Sequence, residues 1–356
     1  SQANVGIGYG VLGALQGGST PAGDYVAIGL QAGGNLSGAQ YGQCIAIGSY
    51  ALNYGYGAQY SVAIGYQALH YATGSNNIGI GKWAGRGAGQ TSAPYASGDN
   101  NIAVGTQANY YLSTGDDNVG IGLYANYENR VGSDNVSMGS YAGYHLRGDG
   151  TVAIGYESSR YASGSYNTFL GYQAGKGGQN TAPYSSGQEN VAIGYQALDA
   201  FTTGGSNTVV GNYAGSGITT GGSNVFIGGQ AGLSITDHSR NVVVGDRAGR
   251  GGGGNYANGV MIGYGAGDRA SGDYQVIIGG QAVSGLSATG ENNTVMGFQA
   301  HGIASGPGAA ANNVTIGFQA QFYSSGSNNV AIGYRAGENN QSAGAVLIGY
   351  QAGKSI

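Results

Sequence analysis

A five-residue phrase, of which Asn190–Gly194 is a clean copy, recurs 20 times along the chain. Most intervals between copies are 16 to 18 residues. A short fixed period that fills a whole chain is typical of a solenoid, in which each repeat packs only on its neighbours. Positions are counted below from the glycine that ends each copy: Gly8, Gly29, Gly48, Gly65, Gly81, Gly105, Gly122, Gly139, Gly155, Gly171, Gly194, Gly211, Gly228, Gly245, Gly263, Gly279, Gly297, Gly317, Gly333 and Gly349.

Composition narrows the function classes. Glycine makes up 76 of the 356 residues, charged residues only 8%, and the net charge is -4. There is no basic stripe for nucleic acid, and no apolar run of about 18 residues for a membrane-spanning helix. Disorder is excluded because apolar residues make up 41% and fall at fixed repeat positions. The one cysteine, Cys44, excludes an internal disulfide framework. We therefore expect one elongated domain over 1–356, with no nucleic-acid partner and no membrane insertion by this segment.

Two aliphatic columns predict the core. Position −1 is Ile, Val, Leu or Met in all 20 copies, and position −3 is Val, Ile or Thr in all 20. Alternate residues of a strand face the same side. The pattern predicts a parallel β-solenoid of 20 coils with these columns inside, so Ile193→Asp is expected to be far more damaging than Gln196→Ala. Representative core residues are Ile64, Ile154, Val191, Ile193, Ile227 and Ile332.

Position −2 points to the opposite face of the same strand. It is Gly, Ala or Ser in the first nine copies and large in many later ones. Because a sheet that is apolar on both faces is usually covered on both, we expect this stripe at a subunit interface; packing on a second strand of the same coil is the alternative. The large members include Phe169, Phe226, Met261, Ile277 and Leu347.

Two further features complete the repeat. Position −4 is Asn in 13 copies, which predicts a ladder of stacked amides. The four prolines fall in the four intervals longer than 19 residues, so these stretches are expected to leave the coil as contact loops. The ladder includes Asn77, Asn101, Asn118, Asn135, Asn190, Asn224 and Asn329, and the loops contain Pro21, Pro94, Tyr95, Pro183, Tyr184 and Pro307.

The phrase at 101–105, 190–194 and 329–333 resembles the repeat of YadA-like heads of trimeric autotransporter adhesins. The fuller text at 64–77 is also similar to repeats of phage tail-fibre proteins. The resemblance implies a left-handed β-roll, a homotrimer and an adhesive or fibre function outside the cell, on a cell surface or on a virion. It leaves adhesin and viral fibre undecided. A host-surface glycan or protein is the partner that it implies besides a second copy of the chain.

No pattern indicates catalysis, a cofactor or a metal. The four histidines stand at four different offsets from their repeat glycines, and the contiguous Asp237–Ser239 does not make triad geometry. Trp83 and the 29 tyrosines could stack on sugars or form a ladder along the coil surface. We therefore expect a non-enzymatic structural and adhesive fibre. The alternative is a glycan- or receptor-binding module with specificity in the proline loops. Since neither end of 1–356 carries an edge-blunting cap, a segment of a longer fibre is expected.

Overall fold

A computed structural model describes residues 3–13, 23–36, 42–87, 96–178, 184–251, 256–302 and 310–354. The described residues form strands and turns and contain no helix. The architecture is a parallel β-solenoid of about 18–20 turns, which confirms the all-β parallel solenoid predicted from the repeat.

The repeat phrase forms twenty three-residue strands, and the chain divides into two compact units, Ser1–Ser186 and Gly187–Ile356. The strands of the first unit are β1 Val5–Ile7, β2 Val26–Ile28, β3 Ile45–Ile47, β4 Val62–Ile64, β5 Ile78–Ile80, β6 Ile102–Val104, β7 Val119–Ile121, β8 Val136–Met138, β9 Val152–Ile154 and β10 Thr168–Leu170. Those of the second unit are β11 Val191–Ile193, β12 Thr208–Val210, β13 Val225–Ile227, β14 Val242–Val244, β15 Val260–Ile262, β17 Val276–Ile278, β19 Thr294–Met296, β21 Val314–Ile316, β23 Val330–Ile332 and β24 Val346–Ile348.

Within each unit, successive repeat strands pair in parallel and in strict register. Ala192 pairs with Val209, Val209 with Phe226 and Phe226 with Val243. The second unit also has a four-stranded parallel sheet on the return side of its turns. Its members are β16 Asp268–Ser271, β18 Val283–Thr289, β20 His301–Gly302 and β22 Gln321–Phe322.

The core lies on the face opposite to the one predicted. In a three-residue strand one side chain faces inward and two face outward. The inward residue is the middle one, as in Ala192, which is fully buried. The flanking residues face out, and Ile64 and Ile227 are 37% and 41% exposed. The assignment of six residues to a closed core is therefore wrong: Ile64, Ile154, Val191, Ile193, Ile227 and Ile332 are exposed or half-buried.

The stripe predicted as a subunit interface is the interior of the coil. Phe169, Phe226, Met261 and Ile277 are fully buried within their own chain, and Leu347 is half-buried. Packing inside the same coil, the alternative reading of position −2, is what the structure shows. The interior of each coil is narrow. It has room for one side chain from the strand and for a small residue at the corner that follows. That corner is position +3, where Ala is fully buried in most turns.

Interior volume is shared between positions −2 and +4 of the same turn. In six of the turns with a large −2 residue, +4 is glycine, as in the pair Phe226 and Gly232. The exceptions are Ile277 with Val283 and Val295 with His301. A Cβ on Gly232 would lie 2.6 Å from Cδ2 of Phe226. Where −2 is alanine, +4 can be leucine, and Leu198 beside Ala192 is fully buried. In turns of these two kinds the volumes of the two side chains compensate.

Candidate interaction surfaces

The outward residues of the repeat strands form the first candidate surface. We call it the aliphatic face and define it, separately in each unit, as positions −3 and −1 of the ten repeat strands. No charged residue occupies any of these positions. Its exposed members include Ile45, Ile80, Leu170, Ile262 and Met296, each about two-fifths exposed. A contiguous apolar surface of this kind marks an interaction site rather than ordinary solvent-facing surface.

The asparagine column at position −4 is buried at the border of this face. Asn224 Oδ1 accepts hydrogen bonds from Asn241 N and Nδ2 at 2.9 and 3.1 Å. Its own Nδ2 donates to Asn207 Oδ1 at 3.0 Å. Bonds between successive turns also link members of the first unit, for example from Asn101 N to Asn77 Oδ1 at 2.8 Å. The ladder satisfies buried amides, and its role is structural.

All seven predicted ladder members are buried in this column. The four prolines and Tyr95 lie outside the described residues, so the contact loops are not described there. Tyr184 is described and half-exposed. Its ring stacks on His145 with the centroids 4.1 Å apart. The guanidinium of Arg147 lies 5.5 Å from the Tyr184 ring centroid.

These contacts belong to a second candidate surface, on the corner that follows the repeat glycine. Aromatic and cationic side chains recur there at positions +2, +5 and +6 of successive turns of the first unit. We call it the aromatic–cation surface. It comprises Tyr54, Tyr71, Trp83, Arg86, Tyr110, Tyr111, Tyr124, Tyr127, Tyr141, Tyr144, His145, Arg160 and Tyr161 with the flanking basic residues Lys82, Arg130, Arg147 and Lys176.

The rings of the aromatic–cation surface stack from turn to turn. Tyr110 and Tyr127 have centroids 5.3 Å apart, and Tyr127 and Tyr144 have centroids 4.8 Å apart. A neighbouring column stacks Tyr124 on Tyr141 at 5.2 Å. Burial in this cluster raises the pKa of Tyr127 and of Tyr144 above the ordinary tyrosine value. The hydroxyls therefore stay protonated and can donate hydrogen bonds at any physiological pH.

Cations sit over these rings. Arg86 lies 5.0 Å from the Tyr71 centroid and also donates from Nη1 to the Tyr110 hydroxyl at 3.0 Å. Arg160 lies 4.8 Å from the centroid of Tyr141 and pairs with Glu157. Such contacts hold a guanidinium in place, but the ring is neutral and does not cancel the positive charge. Arg86 is in this respect unlike Arg160, which has a carboxylate partner.

The sequence predicts for Trp83 and the tyrosines either stacking on sugars or a ladder along the coil surface, and does not assign them to the positions that form this surface. Aromatic residues also recur at position +1. Those do form a ladder in the second unit: Phe298, Phe318, Tyr334 and Tyr350 stack with centroids 6.0, 5.4 and 5.2 Å apart. The informative column is position +5. Aligned on the repeat glycine, it contains Arg86, Tyr110, Tyr127, Tyr144, Arg160 and Lys176 in six consecutive turns.

His70 packs against Tyr54 and Tyr71, so it lies beside the aromatic–cation surface that contains His145, whereas His238 and His301 belong to the second unit. His70 and His301 are buried in different units, and burial lowers the pKa of each to about 4. His238 Nδ1 lies 2.7 Å from Asp237 Oδ1, while Ser239 Oγ accepts a hydrogen bond from Gly222 N and so serves the turn. Within the described part of the chain there is no group of three or more His, Cys, Asp or Glu side chains that could hold a metal.

None of the described residues forms a helix of the length and apolarity that crossing a membrane requires. Comparison with protein-family models, with curated proteins and with solved structures found no match to this chain.

Proposed function

We propose that this chain is a segment of a non-enzymatic structural and adhesive fibre that self-associates through its aliphatic face. The fibre works outside the cell, on a cell surface or on a virion. The observation that carries the proposal is the aliphatic face itself, which is uncharged throughout and apolar at every outward strand position except Thr168, Thr208 and Thr294. An apolar stripe left open to water would cause nonspecific aggregation. A specific partner that covers it removes that hazard.

A second copy of the chain is the partner that fits the aliphatic face best. The outward columns repeat once per turn, with each strand in register with the next. A covering surface must present apolar side chains with the same repeat distance over many turns. Another copy of the chain has the same repeat distance because its sequence is the same. A closed symmetric oligomer also limits the number of copies that associate. The number of copies, three, rests on the resemblance to trimeric adhesin heads.

The experiment is a measurement of oligomeric state by sedimentation equilibrium. The double variant Ile193→Asp and Ile227→Asp places two charges on the aliphatic face. We expect the wild-type chain to be a trimer and the variant to be a folded species of lower mass, because each unpaired carboxylate in an apolar interface costs several kcal/mol.

Two controls separate association from folding. Ser206→Asp and Ser223→Asp add the same charges at the corner before the strand, where Asp117 and Asp134 stand in equivalent positions. We expect that double variant to stay trimeric. Ala192→Asp buries a charge inside the coil and is expected to prevent folding. A wild-type chain that is a stable, soluble monomer would contradict the proposal.

The alternative function, a glycan-binding module, is favoured by the aromatic–cation surface rather than by the proline loops. Such a surface would give the same fibre its ligand-binding site.

A further inference from the structure

Charge is segregated in the first unit. All six basic residues of 1–186 lie on or beside the aromatic–cation surface, together with only two acidic residues, Glu128 and Glu157. The other six acidic residues of 1–186 lie at the opposite corner, before the repeat strand. Several of these serve the backbone, as when Asp116 Oδ1 accepts a hydrogen bond from Asp99 N at 2.7 Å. The surface thus has a local excess of positive charge on a chain whose net charge is -4.

Three of these cations have no carboxylate partner among the residues that the structure describes. Glu128 pairs with His145 and Arg147, and Glu157 pairs with Arg160 and Lys176. None of the ion pairs formed by described residues includes Lys82, Arg86 or Arg130. Lys82 and Arg130 are exposed to solvent and lie over the rings of Trp83 and Tyr111. They are available for an anionic ligand.

The rings restrict the kind of ligand. Within each tyrosine column the ring centroids are 4.8 to 5.3 Å apart and the rings are tilted by only about 20°. Because these rings already stack on one another, a nucleic-acid base cannot enter between two of them without separating the column, which disfavours the base stacking that single-strand binders use. The stacked tyrosines are half-buried, so each ring stays partly open to solvent.

We propose that the aromatic–cation surface binds a linear acidic polysaccharide along the solenoid axis, with its carboxylate groups on Lys82, Arg86 and Arg130. Rows of protonated phenols suit hydroxyl-rich sugars as donors and acceptors. Arginine binds a carboxylate through two parallel hydrogen bonds. Stacked tyrosines of successive turns have centroids 4.8 to 5.3 Å apart, so a chain that runs along the axis meets a tyrosine in each of these turns. The inference deepens the proposed adhesive role by assigning it a ligand class and a site.

The experiment is calorimetric titration of the full chain with polygalacturonate, alginate and hyaluronate. Fully methyl-esterified polygalacturonate is the uncharged control for polygalacturonate. Two further controls are anionic polymers: oligo-dT, whose sugars lack free hydroxyl groups along the chain, and polyglutamate, which contains no sugar. We expect at least one acidic polysaccharide to bind about tenfold or more tightly than the esterified chain. Both non-polysaccharide polymers are expected to bind more weakly.

The variant Lys82→Gln with Arg130→Gln tests the site. Both residues are exposed, so the fold is expected to tolerate the change, and affinity is expected to fall about tenfold or more. The matched control is Arg240→Gln with Arg247→Gln, which removes two exposed charges from the second unit, where the aromatic columns do not occur at position +5. That control is expected to bind within about twofold of wild type.

Four outcomes would overturn the inference: no binding of any of the three acidic polysaccharides, equal binding of the esterified chain, equal or tighter binding of oligo-dT or polyglutamate, or equal loss in the two double variants. The result is independent of oligomeric state. A trimer that binds no acidic polysaccharide overturns only this inference, whereas a monomer that binds one overturns only the proposed self-association.

Discussion

The repeat glycine is the residue that the fold can least replace. All twenty have φ between 126° and 140°, a region that is open almost only to glycine. A Cβ on Gly211 would lie 2.3 Å from the carbonyl oxygen of Gly228 in the next turn. The close approach of turns in the ladder thus requires the glycine, and it explains why this position never varies among the copies.

Gly211→Ala is therefore expected to lose several kcal/mol of unfolding free energy, since backbone strain and a backbone clash add. The control is Gly57→Ala, where φ is 79° and no atom lies within 4 Å of the added Cβ. We expect that variant to lose only about 1 kcal/mol. Urea unfolding followed by circular dichroism measures both. A similar midpoint for the two would contradict the steric account.

Buried histidines predict a pH dependence. The pKa of His301 is lowered by burial to about 4, whereas an unfolded histidine titrates near 6.5. Between these values the unfolded state binds the proton and the folded state does not. Stability is therefore full above about pH 6.5 and falls as the pH is lowered toward 4, by at most about 1.4 kcal/mol per pH unit for each such group. His70, with a pKa of about 4, contributes in the same window.

His301→Gln is the variant that checks this, because Gln321 occupies the equivalent position of the following turn. We expect the slope of unfolding free energy against pH between 4.5 and 6.5 to become shallower in the variant. Thermal unfolding over a pH series measures the slope. An unchanged slope would show that His301 does not titrate as its burial implies.

At the scale of the element, each turn is built on one inward side chain from the strand and one from the opposite corner. Phe226→Ala opens a cavity in this interior and is expected to cost about 3–5 kcal/mol. Adding Gly232→Leu reproduces the Ala192 and Leu198 pair of the turn two before it. Leu198 adopts φ of 54°, so leucine is tolerated at that corner.

The double variant is expected to recover much of the stability that Phe226→Ala loses, whereas Gly232→Leu alone is expected to destabilise by overpacking. A double-mutant cycle measured by urea unfolding gives the coupling energy. Additive losses would refute the shared interior volume.

The sequence contains enough to predict strands, turn length and parallel stacking, because these follow from the period and from the glycine at the end of each phrase. It does not reveal which face of a three-residue strand is inside. Two columns of β-branched residues outnumber one column of alanine, so Ile193 is a natural but wrong choice for the core. The compensation between Phe226 and Gly232 is the signal that identifies the interior, and it is visible only when positions −2 and +4 are read together.

The aromatic–cation surface is harder to predict, because its members occupy three positions of the repeat and fall on the same corner only after the coil closes. Tyr110 and Tyr127 are 17 residues apart in sequence and stack at 5.3 Å. Their common offset from the repeat glycine can be read from the sequence. Only the structure of the corner shows that the columns at positions +2 and +6 lie next to these residues.

At the scale of the whole molecule, strict register makes the turn a removable unit. Deleting 212–228 removes one complete 17-residue period and joins Gly211 to Gly229. The new turn combines Val209 with Gly232, which matches the native pair of Val243 and Gly249. We expect the deleted chain to fold with nearly unchanged cooperativity.

Deleting only 212–220 removes about half a period and is expected to disrupt packing in the second unit, because strand and corner then fall on the wrong sides. Circular dichroism and thermal unfolding compare the two deletions. Equal behaviour would mean that register between turns is not what holds the solenoid together.

The pairing of a large residue with a glycine inside one turn also has a consequence for the gene. Unequal crossing-over between tandem copies adds or removes whole periods, and each product inherits turns whose interiors are already matched. The near-identical texts at 90–98 and 180–187, five copies apart, are what such an event leaves behind. The number of repeats in the chain can therefore change in one genetic step. The residues on the outer corners can change independently by point substitution.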